Sequence, residues 1–198
     1  MPRRLIIATR NRKKFEEMVA ILADLGLDLE SLDALAGVPA VPETGDTFEA
    51  NARAKAVGYA RATGRWALAD DSGLEVDALG GQPGVRSSRW GGREGDDRAN
   101  NETLLRALAD HPKETWTARY RCVAALATPE RVLAVTEGTC EGRITDRPAG
   151  TSGFGYDPYF WLPEHGRTMA ELAPEEKNRL SHRFRALAAM KQHLEKLL

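Results

Sequence analysis

The chain has 198 residues, of which 42% are hydrophobic and 29% are charged, and its formal net charge at pH 7 is −1. This composition is that of an ordinary globular protein and favours neither the disordered nor the membrane class. The near-neutral charge argues against a nucleic-acid-binding surface, because such proteins usually carry a basic excess. We therefore expect a single domain over 1–198 that binds no nucleic acid and no membrane.

The N-terminus and the cysteine and histidine residues indicate where the protein is located and what kind of metal it could bind. The apolar stretch Leu5–Ala8 is far too short for a signal peptide or a spanning helix, so we expect a cytoplasmic protein. Cys122 and Cys140 lack the CxxC spacing of a metal site, and we interpret both as small core residues. The four histidines lie too far apart for a standard zinc spacing, which leaves a hard cation as the candidate metal.

The first predicted elements are a buried strand over Arg4–Ala8 and a helix whose apolar face carries Phe15, Met18, Leu22 and Leu25. The N-terminus of a helix offers unpaired N–H groups and the positive end of a dipole, so the loop before it can bind phosphate. The alternative is an ordinary helix cap beside solvated charges. The candidate phosphate-binding residues in this loop are Thr9, Arg10, Asn11, Arg12, Lys13 and Lys14.

A second helix is predicted after Glu43. Asp46 with Glu49 three residues later fits a capping-box-like start, and Asn51 and Lys55 lie four apart on one helix face. Glu43 itself is interpreted either as a solvated loop acid or as a carboxylate of a metal site.

The stretch Asp70-Asp71-Ser72-Gly73 follows the apolar run Trp66–Ala69 and is interpreted as the place where a strand ends in a turn. Two adjacent carboxylates there suit Mg²⁺ and the activation of a water molecule. The alternative is an acidic turn with no chemical role.

The rest of the chain predicts a mixed sheet. A long loop region around 79–92 is followed by a helix from Asp96 or Asp97, and the segments 117–127 and 131–139 form a predicted hairpin. The later loop Gly150–Pro158 is rich in glycine, so its backbone can approach a ligand closely while Phe154 stacks on a base. The alternative is a tight turn with Phe154 in the core.

The C-terminal segment predicts helix from Pro174 onward, with an apolar stripe through Leu197. Ser181 could instead cap a fresh helix. His182 and Arg183 stand off the stripe, and we interpret them either as a solvated face or as side chains free to point into a cleft.

Taken together, these residues resemble a known family. The chain is similar over nearly its whole length to the inosine/xanthosine triphosphate pyrophosphatases, also called non-canonical purine nucleoside triphosphate pyrophosphatases. The motifs that carry the resemblance are Thr9-x-Asn11-x-x-Lys14, Glu43-Thr44-Gly45 with Thr47-Phe48 and Asn51-Ala52, Ala69-Asp70-Asp71-Ser72-Gly73-Leu74, Gly80-Gly81-Gln82-Pro83-Gly84, Gly153-Phe154-Gly155-Tyr156-Asp157-Pro158, Lys177 and Ser181-His182-Arg183.

The resemblance implies an elongated, two-lobed α/β fold around a long mixed twisted sheet with flanking helices, an active-site cleft between the lobes, and a homodimer. It implies hydrolysis of ITP, dITP and XTP to the monophosphate and pyrophosphate, with Asp71 as general base and with Glu43 and Asp71 holding Mg²⁺. Donors on His182 and Arg183 would read the purine 6-keto oxygen. The substrate-binding residues implied are Thr9, Arg10, Asn11, Arg12, Lys13, Lys14, Ser72, Phe154, Gly155, Tyr156, Asp157, Lys177, His182 and Arg183.

Two departures and two alternatives accompany this interpretation. Ala50 stands where many relatives have Glu, so that acid is missing unless Glu49 substitutes for it, and Phe184 stands where Gly is frequent. The first alternative is a Maf-like nucleotide pyrophosphatase with another base preference, which the Ser181-His182-Arg183 triplet disfavours. The second is a nucleotide-binding protein without catalysis, which the acids Glu43, Asp70 and Asp71 together disfavour.

Overall fold

The computed structural model of the chain describes residues 4–35 and 37–197. The strands are β1 (Arg4–Ile7), β2 (Asp28–Ser31), β3 (Ala67–Val76), β4 (Thr117–Ala127), β5 (Val132–Ile144), β6 (Phe160–Leu162) and β7 (Arg167–Thr168). The helices are α1 (Arg12–Leu22), α2 (Phe48–Thr63), α3 (Asp97–Leu108), α4 (Pro174–Leu180) and α5 (His182–Glu195).

The seven strands form one mixed sheet in the order β2-β1-β3-β4-β5-β6-β7. Strand β1 pairs in parallel with both β2 and β3, and its register places Ile6 beside Ala67. Strands β5, β6 and β7 pair antiparallel. The predicted mixed α/β sheet is therefore confirmed, and its parallel part comes from the early segments in which strand and helix alternate.

The described chain divides into two compact units. The first unit consists of 4–35, 37–71, 122–138 and 182–197, and the second consists of 72–121 and 139–181. Strands β3, β4 and β5 contain residues of both units. The expectation of a single domain over 1–198 stays a prediction.

The core of the first unit lies around helices α1 and α5. Met18 and Leu22 of α1 and Leu187 and Met190 of α5 are fully buried in one apolar cluster, as the helical spacing predicts. Cys122 lies in the same cluster, which confirms its interpretation as a core residue. Burial raises the pKa of the Cys122 thiol to about 12, so the thiol stays protonated and unreactive.

The core of the second unit is built on α3 and on strands β3 to β6. Leu104 and Leu108 of α3 are fully buried in it, as is Phe160. The ring of Tyr120 packs against Phe160 with 4.4 Å between their centroids. Cys140 is also part of this core, so the second cysteine prediction is confirmed.

Two helix boundaries differ in detail from the sequence-based expectation. The N-cap of α2 is Thr47 rather than Asp46, because the Thr47 hydroxyl accepts from the Ala50 N–H at 3.1 Å. The C-terminal segment is two helices, since Ser181 has an extended backbone between α4 and α5. The alternative in which a fresh helix starts after Ser181 is thus confirmed. No helix of the described ranges is long and apolar enough to cross a membrane.

The expectation that Asp70-Asp71-Ser72-Gly73 forms a turn is wrong. These four residues lie inside the ten-residue strand β3, which continues to Val76. The strand persists because its alternate positions stay buried beyond the two acids, with Leu74 and Val76 in the core of the second unit. The acids therefore lie within a continuous strand, which stands between β1 and β4 in the sheet.

Candidate active site

Asp70 and Asp71 have different surroundings because successive side chains of a strand point to opposite faces. Asp70 is 2% exposed, and its Oδ2 accepts from Arg183 Nη2 at 3.1 Å, Arg183 Nε at 3.3 Å and Lys14 Nζ at 3.2 Å. Burial by itself would raise the pKa of Asp70, but Lys14 and Arg183 outweigh it and hold that pKa well below its usual range. Asp70 is therefore a permanent anion.

Arg183 is completely buried between two acids. It is 1% exposed, and besides Asp70 its Nη1 donates to Glu17 of α1. Burial opposes its charge, yet Asp70 and Glu17 raise its pKa above the ordinary arginine value. The alternative in which Arg183 lies on a solvated face is thus wrong, because its Nε and Nη2 donate to Asp70 and its Nη1 donates to Glu17 inside the first unit.

Asp71 faces a second cluster that is centred on a lysine. Lys55 Nζ lies 3.1 Å from Asp71 Oδ1 and 3.0 Å from Glu43 Oε2, so one ammonium bridges two carboxylates. Burial raises the pKa of Asp71, Lys55 and Lys14 oppose that rise, and the nearby Glu43 carboxylate adds to it. A carboxylate with a raised pKa accepts a proton more readily, which suits a general base.

Asn51 orients Asp71 and holds the backbone of Gly45, two residues after Glu43. Its Nδ2 donates to Asp71 Oδ2 at 3.1 Å and to the Gly45 carbonyl at 3.2 Å, while its Oδ1 accepts from the Gly45 N–H at 2.8 Å. A Cβ on Gly45 would lie 2.8 Å from that Oδ1, so only glycine allows the approach. The segment beside Glu43 is thereby fixed to helix α2.

The predicted phosphate loop divides into inward and outward side chains. Asn11 caps α1 by accepting from the Lys14 N–H at 3.1 Å, and the Thr9 hydroxyl accepts from the Asn11 N–H at 3.2 Å. Lys14 points inward, and its Nζ lies 3.2 Å from Asp70 Oδ2. Arg10 donates to the Val38 carbonyl at 2.6 Å, and Arg12 pairs with Glu16 at the surface.

The remaining residue of this loop and two other candidates are placed as follows. Lys13 is exposed at the start of α1, and Ser72 is half-buried on β3 in the second unit. His182 is buried as the first residue of α5, so the alternative of a solvated face is wrong for it as well. Its position beside Arg183 places it in the first unit.

A second group of candidates comes together in the second unit around Asp157. Asp157 is 3% exposed, and its Oδ1 accepts from the Tyr120 hydroxyl at 3.0 Å. Its Oδ2 accepts from the Phe154 N–H at 2.9 Å and from Lys177 Nζ at 2.8 Å. The Lys177 ammonium also lies 4.7 Å from the centroid of the Phe154 ring, a cation–π distance.

This arrangement needs glycine at Gly153 and fixes the neighbouring tyrosine. A Cβ on Gly153 would lie 2.0 Å from Asp157 Oδ2, so no other residue fits. Tyr156 is buried and donates to the Ser87 carbonyl at 2.8 Å, while Gly155 is half-buried. Phe154 is half-buried too, which leaves part of an aromatic face for stacking.

The residues around Asp71 fit a hard divalent cation. Mg²⁺ takes one or two protein carboxylates together with substrate phosphates and water, and Glu43 and Asp71 are such a pair. The Lys55 ammonium between them shows that the position attracts a cation. Over 4–35 and 37–197, no group of three or more His, Cys, Asp or Glu side chains comes together, so a metal here would complete its shell from outside the chain.

Sequence comparison decides the family. A model of the Ham1 family matches residues 5–193. The chain belongs to the Ham1 family. A dITP/XTP pyrophosphatase of Geobacillus kaustophilus is 49% identical over 194 residues, which cover 98% of this chain and 95% of that protein. A dITP/XTP pyrophosphatase of Streptomyces coelicolor is 51% identical over 197 residues, which cover 98% of each.

Solved structures of Ham1 proteins have the same fold. The HAM1 protein from Coxiella burnetii superposes with a TM-score of 0.89 at 40% identity, and the match covers 98% of each chain. The nucleoside-triphosphatase / dITP/XTP pyrophosphatase from Mycobacterium abscessus gives 0.77 at 49% identity, covering 94% of this chain and 98% of that one. The resemblance inferred from the motifs is therefore confirmed at the level of family and fold.

The structure of this Ham1-family chain also answers the question raised by Ala50. Glu49 does not replace the missing acid, because its carboxylate pairs with Arg53 at 2.7 Å on the exposed side of α2. Glu43 and Asp71 are therefore the carboxylates that Lys55 brings together.

Sequence reasoning missed several residues of the two clusters. Asn51 belongs to a motif of the family, but Lys55 has no signal beyond its position four residues after Asn51 on the same helix face. Glu17 lies one turn beyond Lys14 on α1, and this spacing could have suggested that the two share a face. Tyr120 gave no signal, since an aromatic residue in a β-strand is ordinary core.

We predict that Arg183→Met lowers the free energy of unfolding by about 3 to 5 kcal/mol, because it leaves Asp70 as a buried and uncompensated charge. Arg12→Met is the matched control. Arg12 also pairs with a glutamate but is 88% exposed, and its loss should change stability little. Urea unfolding measures both variants. Equally small effects would contradict the role given to the buried pair.

Proposed function

We propose that this chain hydrolyses ITP, dITP and XTP to the nucleoside monophosphate and pyrophosphate, and so removes these nucleotides from the pool. The observation that carries the proposal is the match, near 50% identity over almost the full length, to relatives that are dITP/XTP pyrophosphatases. The acid and lysine clusters of the first unit supply the chemistry that such a hydrolysis needs.

In this proposal Asp71 takes the proton of the water molecule that attacks the α-phosphorus. Three features support the role: its pKa is raised, Asn51 orients its carboxylate, and Lys55 stabilises its charge after the proton has left. Asp70 cannot serve, because Arg183 and Lys14 hold it as an anion with a pKa far below the working range. The two adjacent acids thus have separate roles.

Two lysines are placed to meet phosphate. Lys14 is anchored on Asp70 at the N-terminal turn of α1, where backbone N–H groups also face outward from the helix. Lys55 is held by Asp71 and Glu43. We assign to Lys14 the binding of the leaving pyrophosphate, together with Thr9 and Asn11 of the same loop.

We further propose that the enzyme is magnesium-dependent, with Glu43 and Asp71 holding the ion. When bound there, Mg²⁺ supplies charge neutralisation on the phosphate oxygens and makes bound water more acidic. Loss of activity on chelation and its recovery with Mg²⁺, but not with Na⁺, is the expected result. Full activity in the presence of the chelator would refute the proposed magnesium dependence.

Base recognition is assigned to the second unit's cluster. Phe154 offers a stacking face, and Asp157 holds Lys177 beside it. We also assign Gly155, Tyr156 and Ser72 to the binding of the base. His182 and Arg183 keep their expected role as donors. Arg183 also fixes Asp70, because its three bonds to Asp70 and Glu17 use three of the five N–H groups of a guanidinium. The remaining proposed substrate contacts are Arg10, Arg12 and Lys13.

The proposal also includes a homodimer in the cytoplasm. Sedimentation equilibrium should give the mass of two chains, and a mass of one chain would refute the dimer. Cell fractionation should find the protein in the cytoplasmic fraction.

The direct test of the activity is a panel of nucleoside triphosphates. With Mg²⁺ present, we expect ITP, dITP and XTP to be hydrolysed with release of pyrophosphate, and ATP to react far more slowly because its 6-amino group leaves buried donors unpaired. Release of orthophosphate instead, or a preference for pyrimidine nucleotides, would favour another activity such as that of the Maf-like proteins.

Asp71→Asn tests the general base. The substitution is nearly isosteric but cannot accept the proton of water, so we expect kcat for dITP to fall about 100-fold or more in a folded protein. Asp110→Asn, at an exposed aspartate, is the control and should retain normal turnover. A normal kcat in Asp71→Asn would refute the role.

Lys14→Ala tests phosphate binding separately from the base. Because inorganic tripolyphosphate carries no base, it serves as a competitive inhibitor that reports on the phosphate contacts alone. We expect both KM for dITP and Ki for tripolyphosphate to rise about tenfold, as for loss of a charged hydrogen bond. Lys191→Ala on α5 is the control. If KM and Ki are unchanged in Lys14→Ala, the loop of residues 9–14 only caps helix α1 and does not bind phosphate.

A further inference from the structure

The loop that carries Phe154 and Asp157 has hydrogen bonds of its own around Asp157, but a glycine stands on each side of Phe154. Gly153 and Gly155 both have left-handed backbones, with φ of +77° and +65°. Glycine loses more conformational freedom on ordering than any other residue, so a loop with two of them needs contacts from elsewhere to stay in one shape. The question is which residues supply those contacts.

Two side chains of helix α3 make these contacts with the loop. Asp97 Oδ2 accepts from the Gly155 N–H at 2.8 Å, and Asn101 Nδ2 donates to the Gly155 carbonyl at 2.9 Å. These two groups belong to the peptide bonds on either side of Gly155, so the pair fixes both peptide planes. Asp97 and Asn101 lie four residues apart and therefore on one face of the helix.

The two side chains are themselves held. Asn101 is buried, and its Nδ2 also donates to the Asp97 carbonyl at 2.7 Å, which locks its rotamer. Asp97 lies in the first turn of α3, where the helix dipole favours a negative charge. The Asp96 side chain caps the same turn by accepting from the Ala99 N–H. The helix thus presents a preformed clamp to the loop.

We propose that Asp97 and Asn101 are positioning residues that set the Phe154 ring and Asp157 for base recognition. With Gly155 clamped, the Phe154 N–H stays on Asp157 Oδ2, and that oxygen keeps Lys177 beside the ring. The inference rests on the proposed function, because it assigns the clamp to the base-binding part of that site. It predicts an effect on base binding and none on phosphate binding.

The neighbouring residue on α3 provides a matched control. Asn100 is also a buried asparagine that holds a loop, since its Oδ1 accepts from the Gly91 N–H at 2.7 Å and its Nδ2 donates to the Ser88 carbonyl at 3.1 Å. Its loop carries none of the proposed substrate contacts. Asn100→Ala therefore reports what loss of a buried asparagine does to stability alone.

The experiment compares KM for dITP, Ki for tripolyphosphate and Tm in four variants. Asn101→Ala and Asp97→Ala should raise KM about fivefold, the effect of one lost hydrogen bond, while Ki for tripolyphosphate stays unchanged. Asp97→Asn keeps an acceptor for the Gly155 N–H and should retain a normal KM. Asn100→Ala should lower Tm as much as Asn101→Ala does and leave KM unchanged.

Three results would overturn the inference: a normal KM in Asn101→Ala and Asp97→Ala, an equal rise of Ki for tripolyphosphate, or an equal rise of KM in Asn100→Ala. If Asn101→Ala does not fold, the exposed Asp97 still allows the test through Asp97→Ala. Failure of the wild-type protein to hydrolyse dITP would overturn the proposed function and this inference with it, whereas an active wild type with unaffected variants overturns the inference alone.

Discussion

The buried ion pair between Asp70 and Arg183 is the interaction on which the first unit depends. It joins β3 to α5 across 113 residues of sequence, and both side chains are almost fully buried. Burying two charges costs several kcal/mol each, so the pair is stable only while both partners and their further hydrogen bonds are present. Glu17 and Lys14 provide those bonds from α1, which ties the first helix to the same point.

The same ion pair also gives the neighbouring acids Asp70 and Asp71 different properties. Because Arg183 and Lys14 hold Asp70 as an anion, its charge serves to fix Lys14 and the start of α1. Asp71, on the other face of β3, has a raised pKa and an oriented carboxylate. The second unit follows the same rule, since Asp157 is buried with Lys177 and positions the Phe154 ring through that pair. In both units a satisfied buried charge orients a group beside it.

Much of the fold could be predicted from the sequence, because periodic apolar residues locate the strands and helices, as Met18, Leu22 and Leu187 do. Two elements were misjudged. The acids of β3 suggested a turn, but burial of Leu74 continues the strand. Arg183 suggested a solvated face, since sequence alone cannot show that Asp70 and Glu17 lie opposite it. The family's motifs predict roles for Asp71, Glu43 and Lys14, whereas the contacts of Lys55 and Tyr120 needed the tertiary structure.

A double-mutant cycle between Asp70 and Arg183 tests the central claim most directly. The free energies of unfolding of Asp70→Asn, Arg183→Met and the double variant, measured in urea, give the coupling energy of the pair. The account predicts a coupling of at least about 2 kcal/mol, because removal of the second partner relieves the unpaired charge that removal of the first creates. Effects that add to within about 0.5 kcal/mol would contradict it.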